Sequence, residues 1–349
     1  MEVIRASVMG FCMGVRRAVE KAEQALADSQ RGDGQGYGEG SKGRVYSLGP
    51  LIHNPTVLSD LERRGLEVIP PDATSFAGGD NGDKTSGGDS GANDDNSSPG
   101  GDSGPSPSSL NGSSVIIRAH GTTPAMMDAL ESAGARVIDA TCPKVHLSQR
   151  RVREWSAKGY GIIIAGDRNH GEVTSIASFA GPAPSGGVAV VQDAGEAEAL
   201  AERGGLPDKA VLIAQTTFSP AEFARISQFL KERLPSLVVF DSICSATMER
   251  QEALKELAEK VDGIIVIGGT SSANTRRLYE SAKNLVPLAD LIEDASMIKK
   301  EFYALKRVGI TAGASTPEAV IKEVEETLLG GSQSVPAPKP RGLGGLPPN

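Results

Sequence analysis

R-V-I-D-A-T-C-P, residues 136–143, runs a β-branched segment straight into a cysteine, and a helix-like stretch containing Arg and Glu follows it. The same order recurs in V-I-R-A-S-V-M-G-F-C at 3–12 and in L-V-V-F-D-S-I-C at 237–244. Cys12, Cys142 and Cys244 are the chain's three cysteines. Each is therefore expected at the carboxyl end of a strand and the start of a helix. Free backbone N–H groups at a helix start stabilise the thiolate, the form that binds metal. Three such thiolates meeting at one point would hold an iron–sulfur cluster with one iron open, since full ligation by protein takes four cysteines. The plainer alternative is three small buried hydrophobes. A disulfide framework is disfavoured, because an odd count in a long chain suits a reducing compartment.

Around these junctions strands and helices alternate. Strand-like segments are V-I-I-R-A, R-V-I-D-A, G-I-I-I-A-G, V-A-V-V, V-L-I-A-Q, L-V-V-F, G-I-I-V-I-G-G and V-G-I-T-A-G, and helical ones include 15–27, 124–133, 196–203, 220–233, 250–261 and 275–282. Such alternation predicts an α/β fold with mostly parallel sheets. Once the stretch 77–114 is set aside, the two intervals between successive cysteines become nearly equal, which reads as an internal three-fold repeat. The expected division is a first α/β domain at 1–141, a second at 142–241 and a third at 242–329. The C-terminal part of the third is expected to pack back on the first, and 330–349 reads as a disordered tail.

Of the residues at 77–114, 26 are Gly, Ser or Asp. A segment this poor in apolar groups cannot offset its ordering entropy, so it reads as a disordered insertion. A second insertion, 29–43, carries G-D-G-Q-G-Y-G-E-G. Its glycines alternate and follow a helix rather than a strand, so they fail the dinucleotide fingerprint and read as low complexity. The net charge of −8 is concentrated at 77–114, which holds six Asp and one Lys. Nothing in the charge pattern suggests a nucleic-acid partner. The opening residues do not read as a leader, and no run approaches the ~18 apolar residues of a membrane span. A cytoplasmic chain with no membrane partner, a monomer or homodimer, is expected.

Polar residues cluster in the loops after strands, where open α/β sheets bind ligands. His53 lies in L-I-H-N-P, His120 in R-A-H-G-T, and His170 in R-N-H-G-E-V with Glu172 two positions on. The fourth histidine, His146, falls in a helix and reads as structural. Three loop histidines beside Q-T-T (215–217), S-S-A-N (271–274) and A-G-A-S (312–315) suit a phosphate or diphosphate group. Ser272 and Asn274 are equally readable as N-caps of a helix at Thr275.

Taken in order, G-F-C-M-G-V, L-I-H-N, A-H-G-T, D-A-T-C-P, H-G-E-V, Q-T-T, I-C-S-A-T, S-S-A-N and T-A-G-A-S-T-P strongly resemble the 4-hydroxy-3-methylbut-2-enyl diphosphate reductase family. The resemblance covers residue 1 to about 329 apart from the insertions. It implies a pseudo-three-fold trefoil of three α/β domains around a [4Fe-4S] cluster held by Cys12, Cys142 and Cys244. It further implies a diphosphate held by His53, His120, His170, Ser272, Asn274 and Ser315, with Glu172 as proton source and Thr216 as relay. The implied reaction removes the substrate's hydroxyl group, as water, with two electrons. The products would be isopentenyl and dimethylallyl diphosphate, at the end of the methylerythritol phosphate route. No nicotinamide or flavin motif is present, so electrons would come from reduced ferredoxin or flavodoxin. Two departures stand out: Ala273 occupies the place of a usual second serine, and the family's H-P-E is H-G-E here.

Two other readings share some of these features. A quinolinate synthase-like dehydratase also uses three cysteines and an open iron, but it needs no external electrons, and the histidine anion pocket argues against it. A non-catalytic iron–sulfur sensor would need a dedicated partner surface and would have no use for Glu172.

Overall fold

The structure, a computed structural model, describes residues 1–31, 43–71, 110–181 and 186–330. The chain opens with strand β1 (Glu2–Arg5) and helix α1 (Met13–Arg31). A first unit follows: β2 (Val45–Leu48), α2 (Pro55–Arg63), β3 (Leu66–Ile69), β4 (Ser114–Ile117), α3 (Pro124–Ser132) and β5 (Arg136–Asp139). Helix α4 (Pro143–Ala157) leads into a second: β6 (Gly161–Ala165), α5 (Gly171–Ser178), β7 (Val188–Val191), α6 (Ala194–Glu202), β8 (Ala210–Ala214), α7 (Pro220–Arg233) and β9 (Val238–Phe240). After α8 (Ser245–Ala258) the third comprises β10 (Gly263–Ile267), α9 (Ala273–Leu285), β11 (Ala289–Ile292), β12 (Arg307–Ala312) and α10 (Glu318–Gly330).

Each unit builds a four-stranded sheet, and every neighbouring pair is parallel. The orders are β3-β2-β4-β5, β7-β6-β8-β9 and β1-β12-β10-β11. Counted within each unit, the second strand lies outermost, then the first, then the third. In the third sheet the remaining edge is filled by β1, so the chain's beginning completes its last unit. The register runs from Glu2 opposite Arg307 to Arg5 opposite Ile310. The expected parallel α/β fold with three-fold repetition is present. The opening strand of the expected 1–141 domain, however, lies in the third sheet.

The central strands explain themselves. G-I-I-I-A, A-V-L-I-A and G-I-I-V-I are buried at every position. Continuous apolar runs of this kind belong to parallel strands covered by helices on both faces. Ile116, Ile213 and Ile265 are fully buried, and cutting any one to alanine would cost roughly 2–5 kcal/mol. Proline at the first turn of α2, α3, α4 and α7 fixes where those helices start.

Two expectations about the insertions change. The first does not begin at residue 29, because α1 continues to Arg31. The second ends before Leu110, which is fully buried, and Ser114 already opens β4. What remains of both insertions, and the tail beyond residue 330, lies outside the described residues. Strands β2 and β11 were not anticipated: V-Y-S-L and A-D-L-I are short and interrupted by polar residues.

Candidate active site

Each cysteine follows the strand that completes its sheet's edge: Cys142 after β5, Cys244 after β9 and Cys12 after β1. Cys142 and Cys244 are the N-caps of α4 and α8 in extended conformation, and neither side chain is engaged in a capping bond. Cys12 directly precedes α1. The backbone fixes all three alike. The amide of Cys12 donates to the Ala314 carbonyl (3.0 Å), that of Cys142 to Ala119 (2.9 Å) and that of Cys244 to Thr216 (2.8 Å). Each acceptor lies two residues past the third strand of the same sheet. The cysteine carbonyls then accept the first helical bonds from Arg16, His146 and Met248.

The three thiols are free and line one cavity of about 100 Å³. The Val15 amide points at the Cys12 sulfur (3.5 Å). Burial pushes the Cys142 thiol up, the amides of Lys144 and Val145 oppose this, and the other two cysteines add to the rise. Gly14 is the floor of this group: a Cβ there would lie 2.9 Å from the Cys142 sulfur and 3.9 Å from that of Cys12. Soft sulfur donors at three helix starts, with backbone shaved back beside them, fit an iron–sulfur cluster.

Across the cavity, His53, His120 and His170 stand with ring centroids 4.8–6.2 Å apart. Burial brings His53 and His170 down to about 4. His120 is also pushed well below its ordinary range by burial, and then by the other two histidines and Arg118. The His120 Nδ1 and Asn274 Nδ2 atoms are buried without a partner. Two orphaned polar atoms in one cavity mark a place for a polar ligand. The histidine ligand atoms lie within 4.8 Å of one another, a spacing that could also suit a metal ion. The positive charges of Arg118, Arg276 and Arg277 around them favour an anion instead.

Ser272 is the N-cap of α9, its hydroxyl accepting the Thr275 amide at 3.3 Å, so the capping reading holds for it. Asn274 lies inside the first turn of α9, and its side chain is not the cap. Ser315 donates to the His53 carbonyl (3.1 Å), and Ser271 lies 3.4 Å from the His53 ring. All of these residues sit in the loop, or the first helical turn, that follows the first or third strand of a unit. That is the point where the sheet order reverses, the usual crevice of open α/β sheets.

Glu172, 2% exposed, lines the same cavity as the thiols and the histidines. One carboxylate oxygen accepts the Thr216 amide (2.6 Å) and the other accepts the Thr216 hydroxyl (2.8 Å). Burial raises its pKa, while Thr216 and Arg277 pull the other way. His146 is held apart, between Asp139 (3.0 Å) and Gln149 (2.9 Å), in keeping with its structural reading.

Sequence reasoning missed the arginines. Arg277 donates to Asp167 (2.8 Å) and Thr217 (3.2 Å), tying the third unit to the second beside Glu172. Arg250, buried, donates to the carbonyls of Gly10 and Ala246 close to the thiols. Arg118 stood in the quoted motif R-A-H-G, two positions from His120, and its place there was the available signal.

Thiols, an anion cradle and a buried carboxyl group on one cavity define an α/β enzyme acting on an anionic substrate. The chain belongs to the LytB protein family, whose model matches residues 3–329. A 4-hydroxy-3-methylbut-2-enyl diphosphate reductase of Treponema denticola is 40% identical over 95% of this chain and 100% of its own. The enzyme of that name from Aquifex aeolicus is 35% identical over 94% of this chain and 96% of its own. A solved structure of (E)-4-hydroxy-3-methyl-but-2-enyl diphosphate reductase, described as the terminal enzyme of the non-mevalonate pathway, is 34% identical, with a TM-score of 0.60 over 95% of this chain and 100% of that one. The Plasmodium falciparum E-1-hydroxy-2-methyl-but-2-enyl-4-diphosphate reductase structure is 26% identical, with a TM-score of 0.72 over 94% of this chain and 87% of that one. Among the described residues no helix is long and apolar enough to cross a membrane.

Proposed function

We propose that the chain reduces (E)-4-hydroxy-3-methylbut-2-enyl diphosphate to isopentenyl and dimethylallyl diphosphate. Cys12, Cys142 and Cys244 would hold a [4Fe-4S] cluster. Bound there, it would supply single electrons, taken from reduced ferredoxin or flavodoxin, and a Lewis-acidic iron. The overall change consumes two electrons and two protons, breaks the C–O bond and releases water.

The chain's own residues bind, orient and move protons. His53, His120, His170 and Asn274 hold the diphosphate, with Ser315 fixing the His53 loop and Ser272 capping the start of α9 beside it. Neutral histidines each carry one N–H to offer the anion and gain protons as it enters. Glu172, its pKa raised by burial, gives a proton where the hydroxyl group leaves. Thr216 fixes both carboxyl oxygens, so the acid keeps a single orientation. Walls of Val15, Leu51 and Ile52 restrict water around the reacting carbon atoms.

The observation that carries this reading is Thr216, which joins the acid to the thiol side: its donors hold Glu172 and its carbonyl accepts the Cys244 amide. The test is an anaerobic assay of reconstituted protein with a chemical reductant and the allylic diphosphate. Formation of both five-carbon diphosphates is expected, and no turnover by cluster-loaded protein would reject the reading.

A further inference from the structure

The half-buried side chain of Arg118 is unusual for a charge. Among the described residues it has no hydrogen-bond acceptor and no carboxylate, and burial alone accounts for its lowered pKa. A cation removed from water without a counter-charge costs free energy unless something else uses it. Two glycines make room for the guanidinium. A Cβ at Gly171 would lie 2.2 Å from Nη2, and one at Gly49 would lie 3.1 Å from Nη1. Gly171 follows His170 directly, so the charge stands immediately behind the histidine cradle. Other arginines act on single members: Arg276 on His53 and Arg277 on His170. Arg118 acts on all three. Its far side opens into a neighbouring cavity of about 240 Å³ lined by Thr122, Thr123 and Asn169.

We propose that Arg118 is a positioning residue for the anion, a permanent positive charge seated in a glycine notch behind three neutral histidines, and that Gly171 is the residue that admits it. The inference rests on the diphosphate reading of the histidines. A fixed charge lets the empty cradle stay attractive to an anion at neutral pH, when the histidines carry none. It also accounts for H-G-E: any side chain at residue 171 would collide with the guanidinium in this position.

The test is calorimetric titration of inorganic diphosphate into the cluster-loaded protein. Arg118→Gln should weaken binding about tenfold or more, since one unit charge near an anion in a partly buried site is worth at least that factor. Arg118→Lys should recover part of the loss. In turnover, KM for the allylic diphosphate should rise while kcat stays near the parent value. Gly171→Ala keeps every charge but displaces the guanidinium, and should weaken diphosphate as well. With Arg276, Arg277, Asp167 and Glu172 unchanged around the histidines, the Arg118→Gln deficit should be larger at pH 8 than at pH 6. Without the fixed charge, binding leans more on protonated histidine. Parent-like binding by both Arg118→Gln and Gly171→Ala, with His53→Ala weakened, would overturn the inference alone. Parent-like binding by His53→Ala would overturn the diphosphate reading beneath it.

Discussion

Thr216 satisfies both carboxylate oxygens of Glu172, one with its amide at 2.6 Å and one with its hydroxyl at 2.8 Å. The acid is thereby locked in place, and its orientation does not depend on solvent.

Glu172→Gln tests the proton. The amide oxygen can still accept the Thr216 amide, but the NH₂ group faces a hydroxyl that must turn round and accept. Size and position are kept and the acidic proton is lost. Turnover should fall by the ~10²–10⁴-fold typical of general acid catalysis, with iron content and diphosphate affinity retained. Near-parental turnover would remove Glu172 from the chemistry.

The same variant carries a stability signature. The folded-state pKa of Glu172 lies above its ordinary value of 4.5. The native state therefore holds the proton more tightly than the unfolded state, and stability is lost as pH rises from 4.5 through the raised folded value. Glutamine carries no such penalty. Glu172→Gln should melt with the parent near pH 4 and above it at neutral pH, as followed by circular dichroism.

The histidines predict the opposite limb. His53 and His170 titrate near 4 in the fold, against 6.5 when free. Their contribution is present above 6.5 and is lost as pH falls toward 4. Diphosphate should raise both values, so its binding at pH 6 should take up protons. Calorimetry in buffers of different ionisation enthalpy measures that uptake, and a value of zero would contradict it.

Cys142→Ser should strip iron and the brown chromophore, because a hydroxyl group is a poor substitute for a soft thiolate. Gly14→Ala keeps all three thiols yet puts a methyl group 2.9 Å from the Cys142 sulfur. Its iron content after reconstitution should also fall. Full loading of Gly14→Ala would mean that the sulfur can retreat.

Asn274→Ala removes a buried, unpartnered amide while leaving the Ser272 cap of α9 intact. Losing a charge-assisted hydrogen bond of roughly 1.5–3 kcal/mol should weaken diphosphate binding about tenfold or more. The melting temperature and the cluster spectrum should not move.

The sequence made the α/β class readable because β6, β8 and β10 are unbroken apolar runs, and the repeat readable because its three cysteines fall at nearly equal intervals once 77–114 is set aside. It made the thiols and histidines readable because rare residue types stood in loops after strands. The pairing of β1 with β12 was hidden, since nothing local in V-I-R says which distant edge it will join. Arg118 and Arg277 were passed over because an arginine in an α/β chain is ordinarily a solvated surface charge. Only their packing, against glycines and against Asp167, marks these two as different.

The closure of the third sheet by β1 sets an order in time. Residues 2–5 are made first, but their partners are residues 307–310, and the Cys12 amide waits for the carbonyl of Ala314. A growing chain emerges from the ribosome with Cys12 already made and without the strand and carbonyl that seat it. Cys142 and Cys244 can be seated by units already complete, while Cys12 joins them only when nearly the whole chain has been synthesised. Loading of the proposed cluster would therefore wait until residues 307–314 have been made. A chain cut short before β12 would keep all three cysteines and still lack the means to gather them.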